Sequence, residues 1–359
     1  RRQRQMCIRD SYNTSGNDFN IGGYFLSDDS TNLQKWQFPN LLIDSGKNYV
    51  VFPDDRDTFW VRPHTNFKLS QEGETIFFSD PNGDLIEQIS YTKLQADHSF
   101  GRFPDGGPDW RFFDEPTPHF SNDTVTPFLG YAPTPEISVP SGFYNQDSIE
   151  IAITVSDSNA NIKYTLNAMP PGIVGANYNQ PFGLGVTRAV RARSFLDDHI
   201  PSEIVTHSIL INEDDYTLPV ISLVADNDKV WGDEGFYDFG PPDYDTVRPY
   251  HGANFWEDWE VPMLMQYFNE DKELEFEQWL GAKIHGNISR GHDMKSLRFY
   301  ARQRYGVGEL DFPLIPDRDL DEYKTFILRN AGNDFIRAHF RDAWVHTLIL
   351  RDSVVDMEV

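Results

Sequence analysis

Residues 74–91, "ETIFFSDPNGDLIEQISY", have the pattern of two strands joined by a tight turn. Apolar and polar residues alternate on both sides of the turn, as they do in strands with one buried face. Pro81 sets φ near the value that a turn needs, and the pair Asn82 and Gly83 tolerates a positive φ. The stretch therefore predicts a β-hairpin, and it favours a β-rich class for the amino-terminal region.

Further strand candidates lie on both sides of this hairpin. Residues 22–28 ("GGYFLSD") and 47–54 ("KNYVVFPD") are apolar runs bounded by turn-forming residues. Their order, together with the hairpin and "FGRFPDGG" at 100–107, resembles the lamin-tail domain. That resemblance implies an immunoglobulin-like β-sandwich over residues 12–124, and a binding or spacer module rather than an enzyme.

A Pro-containing linker at 125–135 leads to a second set of strand candidates. "SIEIAITV" (148–155), "ANIKYTLN" (160–167) and "RAVRARSF" (188–195) alternate like strands, and they predict a smaller β-sandwich over 136–212. Their order resembles the β-sandwich that follows the catalytic domain in chitobiases and hexosaminidases, which implies a structural role. Arg191 and Arg193 share one face of the last predicted strand, and we expect them to be solvated charges rather than an anion site.

The composition excludes several classes of function. The net charge of −25 over 359 residues repels nucleic acid and anionic lipid, so neither is an expected partner. The longest apolar runs are too short for a membrane-spanning helix, which needs about 20 residues. Cys7 is the single cysteine, so an intrachain disulfide is excluded. The hydrophobic fraction of 39% is sufficient for folded cores.

From Tyr216 onward the pattern changes to longer strands and a helix. Residues 218–226 and 261–271 predict one strand each, 272–287 predicts a third and a fourth, and 325–332 predicts another. The segment "NEDKEL" (269–274) is the turn expected between the second and third strands. A helix is expected from Asp334, because apolar residues then recur at three- and four-residue spacing.

The stretch that most favours chemistry is 285–299, "HGNISRGHDMKSLRF". A turn-rich loop leads into an alternating run, and we expect Lys295 to lie on that strand. A nucleotide phosphate is bound by backbone amides and by the point charge of a lysine, and protein kinases carry such a lysine on their third strand. Neither GxGxxG nor GxxxxGK[ST] is present. From spacing alone, Lys295 is either a phosphate-binding lysine or a solvated lysine beside a turn.

The same stretch, followed by "LRNAGND" (328–334) and "FRDAW" (340–344), resembles the amino-terminal half of CotH-type proteins, which are atypical kinases named for a spore-coat protein. The resemblance implies ATP and Mg²⁺ as cofactors and phosphoryl transfer to protein Ser/Thr. It implies a nucleotide-binding set consisting of Asn287, Ser289, Arg290, Lys295 and Asp342. In that family the remaining catalytic residues lie in the second half of the domain, so we expect them beyond Val359.

These observations predict one fold class for the chain. It is mainly β and multidomain, with two immunoglobulin-like β-sandwiches followed by an incomplete α+β domain of the atypical-kinase type over 216–359. His285 and His292 flank the candidate loop, but a third ligand is not evident, and turn histidines are favoured over a metal pair. We therefore predict no metal site.

Two functions remain open for the full-length protein. The first is a protein kinase, of which the present chain is a catalytically incomplete part. The second is a non-catalytic cell-surface or adhesion scaffold, since two sandwich modules suit an exported bacterial protein with a surface partner. Residues 1–11, "RRQRQMCIRDS", lack strand alternation and resemble translated adapter sequence, so we expect them to be foreign to the first domain. A signal peptide is not visible there, because an apolar stretch does not follow the arginines.

Overall fold

The computed structural model describes residues 9–59, 62–172, 174–315, 320–331 and 334. The chain folds into two compact units, of which the first comprises residues 1–133, 157–160 and 194–203. The second comprises residues 134–156, 161–193 and 204–359. The predicted boundaries at 12–124, 125–135, 136–212 and 216–359 stay predictions, and the second unit includes parts of the last two predicted domains.

The first 133 residues form short strands that pair mostly within hairpins and small sheets. The strands are β1 (Arg9–Tyr12), β2 (Phe19–Asn20), β3 (Phe25–Ser27), β4 (Trp36–Gln37), β5 (Leu42–Ile43), β6 (Asn48–Val51), β7 (Gly73–Ser79), β8 (Leu85–Thr92), β9 (Ser99–Phe103) and β10 (Asp109–Phe113). Four of them form a sheet in the order β4-β3-β7-β8, while β1 pairs with β6, β2 with β5 and β9 with β10. A short 3₁₀ helix follows at Asn122–Thr124.

The hairpin predicted from residues 74–91 is confirmed. Strands β7 and β8 pair antiparallel, and the Gly83 N–H donates to the Asp80 carbonyl over 3.0 Å. Gly83 has a φ of 91°, which a residue without a Cβ adopts at little cost. Ile76 is buried in the core behind this hairpin, Phe78 packs against it, and Trp36 and Phe38 line the same core. The local turn therefore brings an apolar face into the interior of the unit.

The first strand begins inside the segment predicted to be foreign. Arg9 pairs with Val51 and Ser11 with Tyr49 in an antiparallel ladder. Residues 1–8 lie outside the described residues, but residues 9–11 belong to a strand of the first unit. The predicted start at residue 12 therefore divides β1, because the four residues are too few for a period-2 pattern to be visible in the sequence.

The second unit begins with a β-sandwich. Its strands are β11 (Glu136–Ile137), β12 (Gly142–Tyr144), β13 (Ile149–Ile151), β14 (Ile153–Thr154), β15 (Asn161–Thr165), β16 (Ala176–Asn177), β17 (Phe182–Leu184), β18 (Arg188–Phe195) and β19 (Val205–Ile211). Five of them form a sheet in the order β12-β19-β18-β15-β16, and the pairs β11–β14 and β13–β17 contribute to the same hydrophobic core. Isoleucines dominate its core, where Ile151 and Ile209 are fully buried.

The rest of the second unit is built on one antiparallel sheet. Its strands are β20 (Val220–Val224), β21 (Val261–Phe268), β22 (Leu274–His285), β23 (Ser296–Tyr300), β24 (Leu310–Asp311), β25 (Glu322–Tyr323) and β26 (Thr325–Leu328). The short helix α1 (Asn227–Val230) and the 3₁₀ helices Asn254–Trp256, Ile288–Gly291 and Gln303–Tyr305 lie in the connections. The five-stranded sheet has the order β20-β21-β22-β23-β26, and the separate pair β24–β25 lies between β23 and β26 in the sequence.

Of two predictions for this sheet, the division of 272–287 into two strands was wrong and the turn at 269–274 is confirmed. Residues 272–287 do not form two strands, because β22 runs unbroken from Leu274 to His285. Gly281 does not interrupt it. A Cβ there would lie 2.4 Å from Glu260 Oε1 and 2.5 Å from the Tyr305 ring, so the glycine lets these side chains cross the strand. The turn predicted at 269–274 is confirmed, since the Asn269 N–H donates to the Glu273 carbonyl between β21 and β22.

The sandwich and the sheet of the second unit are joined through side chains. We call the contact of Arg191 with Asp226, the Ala168 carbonyl and Trp279 the Arg191 joint. Arg191 Nη1 lies 2.6 Å from Asp226 Oδ1 and 2.5 Å from the Ala168 oxygen, and the guanidinium carbon is 5.9 Å from the Trp279 ring centre. The Arg191 side chain is only 2% exposed. The expectation of a solvated arginine is therefore wrong.

Neutral side chains extend this contact. The Gln266 amide donates to Ser141 Oγ over 2.8 Å, and the hydroxyls of Ser208 and Ser222 are 2.9 Å apart. The rings of Phe143 and Phe268 meet edge to face with centres 5.4 Å apart. Gln266 and Phe268 are both fully buried. One face of the sheet thus packs against the sandwich, which buries Gln266 and Phe268.

The predicted class, mainly β and multidomain, is confirmed. The helix expected from Asp334 lies outside the described residues apart from Asp334 itself, so the α+β character of the third domain stays a prediction. Among the described residues there is no helix with the length and apolar content that crossing a membrane requires.

Candidate functional site

The candidate loop lies between β22 and β23. The chain leaves β22 at His285, forms the 3₁₀ turn Ile288–Gly291, and enters β23 at Ser296. Lys295 is therefore the residue before the strand and does not lie on it, a difference of one position from the prediction. Gly286 has a φ of 115°, and a Cβ on it would lie 2.3 Å from Ser289 Oγ. The sharp exit from β22 depends on this glycine.

Lys295 is half-buried, and it contacts Tyr237, Phe255 and His292. Its backbone N–H donates to Tyr237 Oη over 2.8 Å, and its Nζ donates to the His292 carbonyl over 2.9 Å. The ammonium lies 4.4 Å from the ring centre of Phe255 and 4.8 Å from that of Tyr237. We call Lys295, His292, Tyr237 and Phe255 the Lys295 pocket. The ring faces attract the ammonium charge in it.

The electrostatics of the pocket do not include a strong ion pair. Burial lowers the pKa of Lys295, the carboxylates of Asp293 and Asp238 act in the opposite direction, and Arg248 adds to the lowering. Across the described residues, a carboxylate within ion-pair distance of Lys295 Nζ is absent. The positive charge is thus stabilised by a carbonyl and two rings, which leaves two of the three N–H donors of the ammonium for another acceptor.

Arg290 holds the loop together. Its Nε donates to the Gly286 carbonyl over 2.8 Å, and its Nη1 donates to the Phe255 carbonyl over 3.1 Å. The guanidinium also lies over the ring of Trp256, 5.6 Å from the ring centre. Two of these three interactions tie the loop to the 3₁₀ helix Asn254–Trp256, and the third closes the loop on itself. Its predicted role at a nucleotide would have to come from the remaining Nη2 group.

Asn287 and Ser289 contribute backbone groups to the turn. The Asn287 carbonyl accepts from the Arg290 N–H, and the Ser289 carbonyl accepts from the His292 N–H. Asn287 is exposed and Ser289 is partly buried. Both lie on the same loop as Lys295, as predicted. Asp342, the predicted acidic partner of Lys295, lies outside the described residues.

Sequence reasoning missed the residues that fix the start of β23. Asn330, which follows β26, is buried, and its Nδ2 donates to the Met294 carbonyl over 2.6 Å. Ser296 Oγ lies 3.0 Å from Asn330 Oδ1 and also accepts from the Asn330 N–H. These bonds hold the chain on both sides of Lys295. The asparagine in "LRNAG" was the visible signal, but its partner lies 34 residues away.

The two histidines that flank the loop differ in environment. Burial lowers the pKa of His285, as do the positive charges of Arg298, Arg290 and Arg329. His292 is 8% exposed, and burial also lowers its pKa. Among the described residues there is no group of three or more His, Cys, Asp or Glu side chains that could hold a metal ion.

A cluster of charged residues centred on Glu260 lies beside Gly281 and Lys283 of β22. Glu260 binds Arg302 through both carboxylate oxygens, at 2.8 and 3.0 Å, and also contacts Arg304. Burial would raise the pKa of Glu260, but the hydrogen bonds from Arg304, Arg302 and Tyr305 lower it. Burial and the same carboxylate raise the pKa of Tyr305 to about 12. This cluster is an ion-pair network beside β22, an interior strand of the sheet.

Comparison with protein families identifies two of the three predicted regions. A model of the lamin tail domain matches residues 12–93, and a model described as Fn3 associated matches residues 151–209. Comparison with curated proteins and with solved structures gave no match. The lamin-tail resemblance and the immunoglobulin-like architecture of the first region are confirmed. The second sandwich matches the Fn3-associated model, whereas no family model of the CotH type matches the third region. The chain is thus similar to a lamin tail domain over 12–93 and to an Fn3-associated domain over 151–209.

Proposed function

We propose that the sheet from β20 to β26 is the first part of a nucleotide-binding, kinase-like domain in an exported bacterial protein. The full-length protein would transfer a phosphoryl group from ATP, with Mg²⁺, to Ser or Thr of a protein substrate. The proposal depends on the position of Lys295, which lies directly before β23 at the end of a loop from the neighbouring strand. Protein kinases use a lysine on the third strand of such an antiparallel sheet to bind the phosphates.

The contacts of Lys295 suit this role. An ammonium that is partly removed from water gains more from a phosphate than a solvated one does, because screening is weaker there. Two of its N–H donors are available for phosphate oxygens while the third keeps its bond to the His292 carbonyl. Asn330 and Ser296 would fix the backbone around it, so that the lysine need not be ordered when a ligand binds. The proposal assigns no Mg²⁺ ligand to the described residues.

Nucleotide binding tests the proposal directly. Titration of the protein with MgATP, followed by calorimetry, is expected to give saturable binding that Lys295→Met weakens about tenfold or more, since a charge-assisted bond is lost. Lys324→Met is the matched control, because Lys324 is 79% exposed and lies one residue before β26. Equal MgATP affinity in the Lys295→Met variant and the unmodified protein would remove Lys295 from the mechanism.

A second candidate function is a non-catalytic scaffold on the cell surface. The lamin-tail match and the contacts of Lys295 support it, because an ammonium that already rests against a carbonyl and two rings does not require a ligand. In that case the folded protein would bind no nucleotide, and the Lys295→Met variant would keep its stability and its surface partner. MgATP binding that depends on Lys295 would exclude this function for the third region.

A further inference from the structure

A second group of cations lies on the sheet face that points away from the Lys295 pocket. The register pairs His285 with Ser296 and Lys283 with Arg298, so these four side chains share one face of β22 and β23. Arg298 also pairs with Ile327, and Arg329 follows Ile327 by two positions on the same face. The opposite face carries Leu297 and Phe299, which belong to the hydrophobic core.

We call His285, Arg290, Arg298 and Arg329 the basic face. The three arginines are close enough to His285 to lower its pKa, in addition to its burial. Arg290 reaches the same region from the loop, where its Nε bonds to the Gly286 carbonyl next to His285. Four basic groups therefore come together in a chain whose net charge is −25.

Other cations of this sheet are neutralised by carboxylates. Lys283 lies 2.9 Å from Asp258, Lys324 lies 3.4 Å from Glu309, and Arg302 is paired with Glu260. Arg298 and Arg290 differ, because within the part of the chain that the structure describes neither has a carboxylate partner. Like charges held this close repel one another, and a bound anion removes that repulsion.

We propose that the basic face is a binding site for a phosphate-bearing anion, separate from the Lys295 pocket. The planar guanidinium of Arg298 matches two oxygens of one phosphate group, which a lysine cannot do. His285 would add a third contact when it is protonated. The proposal is independent of whether Lys295 binds a nucleotide, since Arg298 lies on the face of β23 opposite to Leu297 and Phe299, which pack in the same core as Phe255 of the Lys295 pocket. Arg290 is the member of the basic face that also contacts this pocket, through the Phe255 carbonyl.

The probe for this site is inorganic tripolyphosphate, titrated into the protein and followed by calorimetry. The proposed nucleotide contact at Lys295 would also attract a phosphate chain, so the titration is made on the Lys295→Met variant. We expect one saturable site there, which an added Arg298→Gln change weakens about tenfold or more through loss of a charge-assisted bond. Lys324→Gln makes the same change in net charge at an exposed position and is expected to bind normally. Tripolyphosphate binding that persists in the Lys295→Met variant separates this site from the proposed nucleotide contact.

Two further variants keep the test decisive if Arg298→Gln disturbs the sheet. Arg298→Lys keeps the charge and removes the planar guanidinium, so intermediate affinity is expected. Arg329→Gln removes an exposed arginine of the basic face, so weaker binding is expected without a disturbed sheet. A parallel titration with ATP compares the affinity for a phosphate chain with that for a nucleotide. It thus distinguishes a site that binds phosphate chains alone from one that also contacts the nucleoside. Absence of saturable tripolyphosphate binding to the folded protein, or equal affinity in the Arg298→Gln and Lys324→Gln variants, would overturn the proposal.

The protonation of His285 gives an independent readout. Arg298, Arg290 and Arg329 are the charged groups that act on this imidazole, and an anion between them would oppose their effect. The pKa of His285, measured by NMR, is therefore expected to rise when tripolyphosphate is added, and the affinity is expected to increase as the pH falls through that range. An unchanged His285 pKa at saturation would place the anion elsewhere.

Discussion

The Arg191 joint and the Lys295 pocket both take a positive charge away from water, but they stabilise it differently. Arg191 is almost fully buried and has a carboxylate partner in Asp226. Lys295 is half-buried and has a carbonyl and two aromatic rings instead. A buried cation with a fixed counter-charge is committed to structure, whereas a cation without one is able to accept a ligand. The difference separates a structural contact from a candidate site.

Asp226→Ala tests the structural side of this comparison, and the largest effect is expected here. Arg191 is 2% exposed and Asp226 37%, so removing the carboxylate leaves a buried guanidinium without its counter-charge, and the free energy of unfolding should fall by about 3 kcal/mol. Urea denaturation would measure it. Asp228→Ala is the control, because Asp228 is exposed in the same short helix and its loss should cost at most about 0.5 kcal/mol. Equal losses in the two variants would show that the Arg191 joint contributes no stability.

Asn330→Ala tests whether the backbone beside Lys295 is held in place. The Met294 carbonyl and the Ser296 hydroxyl would both lose a buried partner, so we expect a loss of about 2 kcal/mol. Hydrogen exchange should also become faster in residues 294–296. Faster exchange spread evenly over the sheet would contradict a local role for Asn330.

Lys295→Met is expected to have a small effect on stability. The variant loses the attraction between the ammonium and the two rings but also loses the cost of burying a charge, and methionine keeps the apolar contacts. The free energy of unfolding should therefore change by less than about 1 kcal/mol. Thermal unfolding would measure it, and a loss as large as that of Asp226→Ala would make Lys295 a structural residue like Arg191.

The pH dependence of stability gives the smallest predicted effect. The folded-state pKa of Lys295 lies below its ordinary value of 10.5, so between these two values the folded protein binds fewer protons than the unfolded chain. The free energy of unfolding of the unmodified protein should therefore rise with pH in that window, relative to the Lys295→Met variant. Parallel curves for the two proteins would mean that the folded state leaves the lysine pKa unchanged.

The structural features that depend on residues close together in the sequence were predicted correctly. The hairpin at Pro81, Asn82 and Gly83 and the turn at 269–274 follow from local φ preferences, and both are confirmed. The strands of the last sheet were predicted in the right order because their alternation is local as well. Dividing β22 into two strands was wrong, since the pattern does not show that Glu260 and Tyr305 pack across Gly281.

The residues around the candidate site depend on distant parts of the chain. Arg191 was expected in solvent because its partner, Asp226, lies 35 residues away in another predicted domain. Arg290 was assigned to a nucleotide, although its Nη1 group is taken up by the carbonyl groups of Phe255 and Trp256. Such pairings arise only when the strands assemble, so the position of Lys295 was predictable while its environment was not.

The connection between β19 and β20 is exposed throughout residues 212–219, although the strands on either side of it are held together. A protease should therefore cut this segment readily without separating the two products. The hydrogen bond from Gln266 to Ser141 and the packing of Phe143 on Phe268 would keep the fragments associated as a non-covalent complex. Conversely, a fragment that starts at residue 216 would expose the buried Gln266 and Phe268 and is expected to aggregate. The second sandwich and the sheet should therefore be expressed together as one fragment.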